Sequence, residues 1–193
     1  MNVAALLADE VRRDGARPFL TWYDDATGER VELSVATITN WAVKTANLLS
    51  DEHGLEPGDP IRLSPADHWL SFVAVLGAWH IGLCIAEDAD VELPGDPKAF
   101  TAAVLPQPDV LLAPSSAEVS YGAIEAQAGL RLMSTHSLST PGGVALSLGT
   151  PLDAHGSVVM VANANPSRLA DRAAMERVTH TAGCDVHGLP RLD

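Results

Sequence analysis

The stretch that decides the fold class runs Trp69-Leu70-Ser71-Phe72-Val73-Ala74-Val75-Leu76-Gly77-Ala78-Trp79-His80-Ile81-Gly82-Leu83-Cys84-Ile85-Ala86. Trp69, Phe72, Val73, Leu76 and Trp79 recur at the i, i+3, i+4, i+7 spacing of one helix face, and Gly82 closes the helix. Its start falls at Pro65 or Asp67. Residues 83–86 follow as an unbroken apolar run, the pattern of a strand buried between two helical layers, and 110–113 has the same character. Ile61 and Leu63 mark a strand ahead of the helix. Strand, helix and strand in alternation predict an α/β fold built on a parallel sheet with right-handed crossovers. The tryptophan stripe reads as core, not as a cofactor box.

Upstream, Val3, Leu6, Leu7 and Val11 give a short surface helix with Arg12 and Arg13 near its C-terminal end and Gly15 as its stop. Residues 19–23 and 30–33 are β-prone runs around Asp24-Asp25-Ala26-Thr27-Gly28, which predicts a β-hairpin. Ser34 then caps a helix carrying Val35, Ile38, Ala42, Thr45 and Leu49, ended by Gly54 and the turn Glu56-Pro57-Gly58-Asp59. Downstream, residues 98–104 predict a short crossover helix and 123–128 a second one, leading to a strand at 130–133. Residues 144–148 and 158–161 predict two more strands, and 167–178 a helix capped by Ser167 or Asn165. The expected organisation is an α/β subdomain over 1–136, a linker at 137–143 containing Pro141-Gly142-Gly143, an extension over 144–182 and a disordered tail over 183–193.

A chain of 193 residues fits one α/β domain plus an appendage. A chain of that length buries roughly 70% of its unfolded surface. Trp22, Trp41, Trp69 and Trp79 all precede residue 81, and no aromatic follows Tyr121, so the core is weighted to the first half. A net charge of −13 argues against backbone-driven binding of nucleic acid and against anionic membranes, while leaving a local nucleotide pocket open. Cys84 and Cys184 form no disulfide framework. The first ten residues lack a basic region and a long apolar core, and no segment has the length of a membrane span. The expectation is a soluble, cytoplasmic, unexported protein.

Pro18-Phe19-Leu20-Thr21-Trp22, Leu33-Ser34 opening a helix, Pro57-Gly58-Asp59-Pro60-Ile61, and a helix ending Gly82-Leu83-Cys84-Ile85 share an order and spacing with a known group. Over about 18–113 the chain resembles the N-terminal subdomain of the adenylate-forming (AMP-binding, acyl-CoA synthetase-like) superfamily, which includes acyl-CoA synthetases, luciferases and adenylation domains. It is similar to short actinobacterial proteins of unknown function that carry only this part. The resemblance implies a Ser/Thr/Gly-rich loop followed by Pro-Lys-Gly, which wraps the ATP phosphates. The nearest stretch, Ser139-Thr140-Pro141-Gly142-Gly143, has no lysine after it, and the chain's only lysines are Lys44 and Lys98. Without the cation such a loop loses a charge-assisted contact worth about 1.5–3 kcal/mol. Tyr121-Gly122-Ala123-Ile124-Glu125 resembles the superfamily's Tyr-Gly-x-Thr-Glu element, in which threonine meets phosphate and glutamate holds magnesium, but Ile124 stands where a hydroxyl is required and the element comes too early. A helix start with one exposed Glu is the plainer reading. The superfamily's C-terminal lid and catalytic lysine have no room in 193 residues.

His180, Cys184 and His187 are spaced like zinc ligands, with Asp185 or Asp193 as a fourth, yet the reading adopted is a solvent-exposed terminus. His68 and His80 flank the tryptophan-rich helix as surface or partly satisfied residues. Cys84 reads as an inert core thiol. No nucleophile elbow, zinc-protease pair, Walker loop or dinucleotide fingerprint occurs. No catalytic, cofactor-binding or metal-binding residue is assigned, and no cofactor is expected. The function expected is that of a non-catalytic homologue of the N-terminal subdomain, a protein-binding or regulatory module whose apolar flank another chain or a second copy covers. The alternative is a binder of adenine nucleotide or acyl-CoA that contributes to acyl activation with a second chain.

Overall fold

The computed structural model describes residues 2–64, 67–112, 118–120 and 122–192. In chain order the elements are α1 (Val3–Asp14), β1 (Pro18–Asp24), β2 (Arg30–Ser34), α2 (Val35–Asp51), β3 (Pro60–Ser64), α3 (Trp69–His80), β4 (Cys84–Ile85), β5 (Glu92–Pro94) and α4 (Pro97–Val104). They continue with β6 (Arg131–Ser134), α5 (Pro141–Val144), a π-helical stretch (Ala145–Gly149), α6 (Thr150–Asp153), β7 (Ser157–Ala162), α7 (Pro166–Met175) and β8 (His180–Ala182). The fold is α/β with mostly parallel sheets flanked by helices, as the alternation of elements predicts. The chain forms two compact units that interleave in sequence: Met1–Arg17 with Val35–Ser120, and Pro18–Ser34 with Tyr121–Asp193. That division differs from the expected boundary at 137–143.

In the first unit the expected helices form where the caps put them. The Asn2 side chain accepts from Ala5 N at 2.9 Å to open α1, and Asp96 accepts from Ala99 N at 2.8 Å to open α4. Helix α3 is capped by His68, whose Nδ1 accepts from Leu70 N at 3.2 Å, not by Asp67; Pro65 lies outside the described residues. From Leu70 to His80 every residue of α3 is buried, so the helix is covered all round and not along one stripe. It packs on α2 so closely that a Cβ added at Gly77 would lie 2.6 Å from Thr45 Cβ and Cγ2. Strands β4, β3 and β5 form a three-stranded parallel sheet in that order. Only Cys84 and Ile85 of the expected 83–86 strand pair, and as an edge strand β4 leaves Cys84 exposed, not buried in a core.

Residues 110–112 are not a strand, and Ala113 lies outside the described residues. Val110 is 71% exposed and Leu112 57% exposed. Their backbone is held instead by Asn47, a buried side chain on α2. Asn47 Nδ2 donates to the carbonyls of Pro108 (3.1 Å) and Val110 (3.0 Å), and its Oδ1 accepts from Leu112 N (3.0 Å). One amide thus replaces the ladder of a neighbouring strand.

In the second unit the strand order is β2-β1-β7-β6-β8, with β1 and β2 an antiparallel hairpin and the remaining pairs parallel. All six residues of β7 are buried. The 144–148 segment is helical, not a strand. Thr140 caps α5 through its Oγ1, which accepts from Gly143 N at 3.1 Å, so the expected linker is a helix start. Pro151 explains the π turns that follow: a proline inside a helix donates no hydrogen bond and its ring crowds the carbonyl four residues back, and widening the turn relieves both. Thr150 N accordingly reaches the Ala145 carbonyl, five residues away. Residues 123–127 are irregular, not helical. Helix α7 is capped by Asn165, whose Oδ1 accepts from Ser167 N at 3.0 Å; it ends before the expected 178 because Arg177 takes φ 54°.

The expected frayed tail is pinned. Thr181 N donates to Pro190 O, Leu192 N donates to Thr181 O, and Val186 and Leu189 pack against a core cluster that includes Cys184. No helix among the described residues is long and apolar enough to cross a membrane.

Two outcomes test these packing arguments. Helix propensity predicts that Gly77→Ala gains about 1 kcal/mol. The contact with Thr45 instead predicts a loss of about 1–3 kcal/mol in chemical denaturation. Asn47→Leu removes three hydrogen bonds at one buried point, so hydrogen exchange at the Leu112 amide should accelerate even where the rest of the first unit stays protected.

Candidate functional site at the rim of the five-stranded sheet

In open parallel sheets, ligands bind at the carboxyl ends of the strands, so the loops leaving β6 and β8 are where chemistry belongs. Strand β6 ends at Ser134, whose Oγ lies 2.8 Å from Ser147 Oγ and accepts from His136 N at 3.1 Å. Ser137 Oγ donates to Ser139 Oγ at 3.0 Å and accepts from Ser139 N at 3.2 Å. The helix start then presses on this loop: a Cβ at Gly143 would sit 1.9 Å from the Ser137 carbonyl oxygen, so only glycine fits. From β8, Gly183 closes on Thr135 and His136 with φ 71°. His136 Nε2 is buried among the described residues with no hydrogen-bond partner. Burial pushes the neighbouring Cys184 thiol up, against the hydrogen bond from Thr135, and leaves it a protonated core group at neutral pH.

The chemistry open to this rim is set by what its groups already hold. Ser134, Ser137, Ser139 and Thr140 all bond within the loop and the helix it feeds. In the first helical turn Pro141 has no N–H, Gly143 N goes to Thr140 Oγ1 and Val144 N to the Thr140 carbonyl. No lysine follows, since Lys44 and Lys98 lie on α2 and α4. Gly142 is the open position: a Cβ there meets nothing within 4 Å.

The other positions singled out from sequence fall elsewhere. Tyr121 lies outside the described residues; Glu125 is exposed, and Ile124 N donates to Thr150 Oγ1 at 3.0 Å. His180, Cys184 and His187 do not form the exposed terminus expected: His180 belongs to β8, its Nδ1 lies 3.0 Å from Thr179 Oγ1, Cys184 is buried, and His187 alone of the three is exposed. No group of three or more His, Cys, Asp or Glu among the described residues is placed to hold a metal. His80 is buried, not at the surface; burial pulls its pKa down, and its Nδ1 bonds the Leu76 carbonyl at 3.0 Å.

A charged knot that sequence reading missed ties β6, β7, β1 and α7 together. Arg131, the first residue of β6, donates to the Glu176 carbonyl and carboxylate, to Ser157 Oγ (3.1 Å) and to Thr21 Oγ1 (3.3 Å). Tyr23 donates to Glu176 and accepts from Arg30 at 3.0 Å. Burial raises Glu176, but the hydrogen bonds from Tyr23 and Arg131 outweigh it and hold the carboxyl below its ordinary value. Beside it, Arg172 grips Asp25 through two bonds of 2.7 and 3.1 Å, lies 4.2 Å over the Tyr23 ring, and keeps Asp25 low.

The fold is that of the N-terminal domain of adenylate-forming acyl-CoA synthetases. The chain superposes on the N-terminal domain of FACL13 from Mycobacterium tuberculosis with a TM-score of 0.70 at 10% identity, covering 95% of this chain and 62% of that one. It superposes on the anthranilate CoA ligase AuaEII, solved with anthranoyl-AMP, with a TM-score of 0.73 at 14% identity, covering 95% and 48%. For Brucella canis acyl-CoA synthetase the values are 0.72, 14%, 95% and 47%. The chain therefore spans about half to three fifths of the length of these solved proteins. No family model matches it. A Mycobacterium tuberculosis (strain ATCC 25618 / H37Rv) protein described as a TIGR03089 family protein is 32% identical over 231 residues, covering 91% of this chain and 95% of its own. The chain belongs to that family. The aligned span exceeds the 193 residues of this chain, so the relative carries residues within it that this chain lacks.

Because Glu176 is held low in the folded state, its contribution to stability is full above the ordinary carboxylate range and is lost as pH falls through its folded value. Glu176→Gln should flatten the acid limb of a stability-versus-pH curve. Arg131→Met removes one of three partners of Glu176, leaving Tyr23 and Arg30, and should cost about 1–3 kcal/mol at neutral pH in chemical denaturation.

Proposed function

We propose that this protein is a non-catalytic member of its family, a partner-binding or regulatory module on the scaffold of an adenylate-forming enzyme's N-terminal domain. The observation that carries the reading is the rim after β6: its hydroxyls bond within the loop or the helix it feeds, the N–H groups of Gly143 and Val144 go to Thr140, and no lysine follows in the sequence to neutralise phosphate. A loop that grips ATP needs donors left over and a cation. Partner binding is supported by large apolar side chains held in the open: Leu105, Val110 and Leu112 in the first unit and, separately, Met175 in the second.

The test is a thermal-shift panel of ATP, AMP, CoA and acyl-CoA with magnesium, run beside light scattering on the same sample. The reading predicts no saturable shift with any of the four, and association with a second chain or copy. A bound ligand at 100 times its Kd adds about 2.7 kcal/mol, well within detection. Saturable stabilisation by a nucleotide or CoA would instead favour a binder that contributes to acyl activation with a second polypeptide.

A further inference from the structure

A groove of about 410 Å³ lies on the Val35–Ser120 unit, lined among others by His68, Trp69, Leu70, Pro97, Lys98 and Leu105. Its volume is in the range of specific recognition sites. Its floor is fixed: the Trp69 ring meets Trp41 edge to face, with centroids 5.6 Å apart at 89°. Its wall is fixed too, because Lys44 Nζ on α2 donates to the Leu105 carbonyl at 2.9 Å and to that of Gln107, anchoring the end of α4. The Leu105 side chain nevertheless remains 55% exposed. An apolar surface held rigid before anything covers it loses little entropy on binding.

Lys98, exposed and lining this groove, makes no ion pair or hydrogen bond among the described residues. Set beside a rigid apolar groove, it is complementary to a carboxylate adjacent to an apolar side chain. The protein's overall negative charge is screened beyond about 8 Å in physiological salt.

We propose that this groove docks a short acidic segment of a partner protein, with an aromatic or aliphatic side chain against Trp69 and Leu105 and a neighbouring Asp or Glu on Lys98. The proposal rests on the partner-binding reading and locates its surface.

The experiment pans a phage-displayed random peptide library on the full chain, in parallel with the Lys98→Glu and Leu105→Asp variants. Both side chains are exposed, and an unchanged melting temperature verifies each variant's fold. The expected result is enrichment of sequences with Asp or Glu beside an aromatic or aliphatic residue. Synthetic versions should bind Lys98→Glu about tenfold more weakly, the size of one charge-assisted contact. Absence of enrichment, enriched peptides lacking an acid, or affinity unchanged in both variants would overturn the proposal. So would self-association of the wild type that Leu105→Asp abolishes, which would assign the groove to a second copy. If panning fails while light scattering shows association through another face, the groove proposal falls and the partner-binding reading stands; nucleotide stabilisation would remove that reading whatever the peptides do.

Discussion

Strand β7 is buried along its whole length and hydrogen-bonds in parallel with β1 on one side and β6 on the other. The rest of the second unit depends on that pairing. It draws the hairpin of residues 18–34 out of its sequence neighbourhood and into a sheet built from the last third of the chain. Once β7 is in place, Arg131 at the start of β6 reaches Ser157 at the start of β7, Thr21 on β1 and Glu176 after α7, so a single guanidinium fastens four elements. Breaking this knot strands a buried charge, whereas the apolar contacts around it adjust more gradually.

The same sheet places a loop at the position where related folds hold ligands, and the local chemistry of that loop differs from what phosphate binding requires. Serine and threonine hydroxyls that could face a ligand close the loop on itself, and glycine at 143 lets the helix start press on the Ser137 carbonyl. The result is a compact turn whose serine and threonine hydroxyls bond within it or to the helix it feeds, while His136 Nε2 is left buried without a partner among the described residues. The first unit holds exposed apolar surface in place through two side chains on α2: Asn47 holds residues 108–112 and Lys44 holds the end of α4.

Much of the architecture was legible because periodicity reports burial. The helical spacing through α3, the hairpin at 24–28 and the crossover helix near 98 each follow from patterns that local physics enforces, although α3 is buried all round and not on one face. Two of the differences have one cause, that apolar composition alone does not distinguish a strand from other structure. Residues 110–112 are apolar but clamped by a side chain, and 144–148 are apolar but helical, with Pro151 disguising the helix by forcing π turns. The tail composition pointed to disorder, yet β8 and the bonds around Thr181 hold it, because a parallel edge beside β6 offers unpaired backbone groups. At the rim, the missing lysine was readable from sequence alone. The engagement of the hydroxyls was not, since it depends on Ser147 folding back toward Ser134 across a helix turn. Arg131 and Glu176 are separated by 45 positions and carry no motif, so only the fold brings them together.

The central claim is that this rim does not hold nucleotide phosphate, and Gly142 makes it directly testable because a side chain there meets open space. Gly142→Lys restores the sequence Pro-Lys-Gly at the start of the helix without crowding its neighbours. The measurement is titration calorimetry of magnesium ATP into the wild-type chain and this variant. The account predicts no saturable heat from the wild type, with any binding confined to the variant. A saturable wild-type isotherm, unchanged by Gly142→Lys, would contradict it.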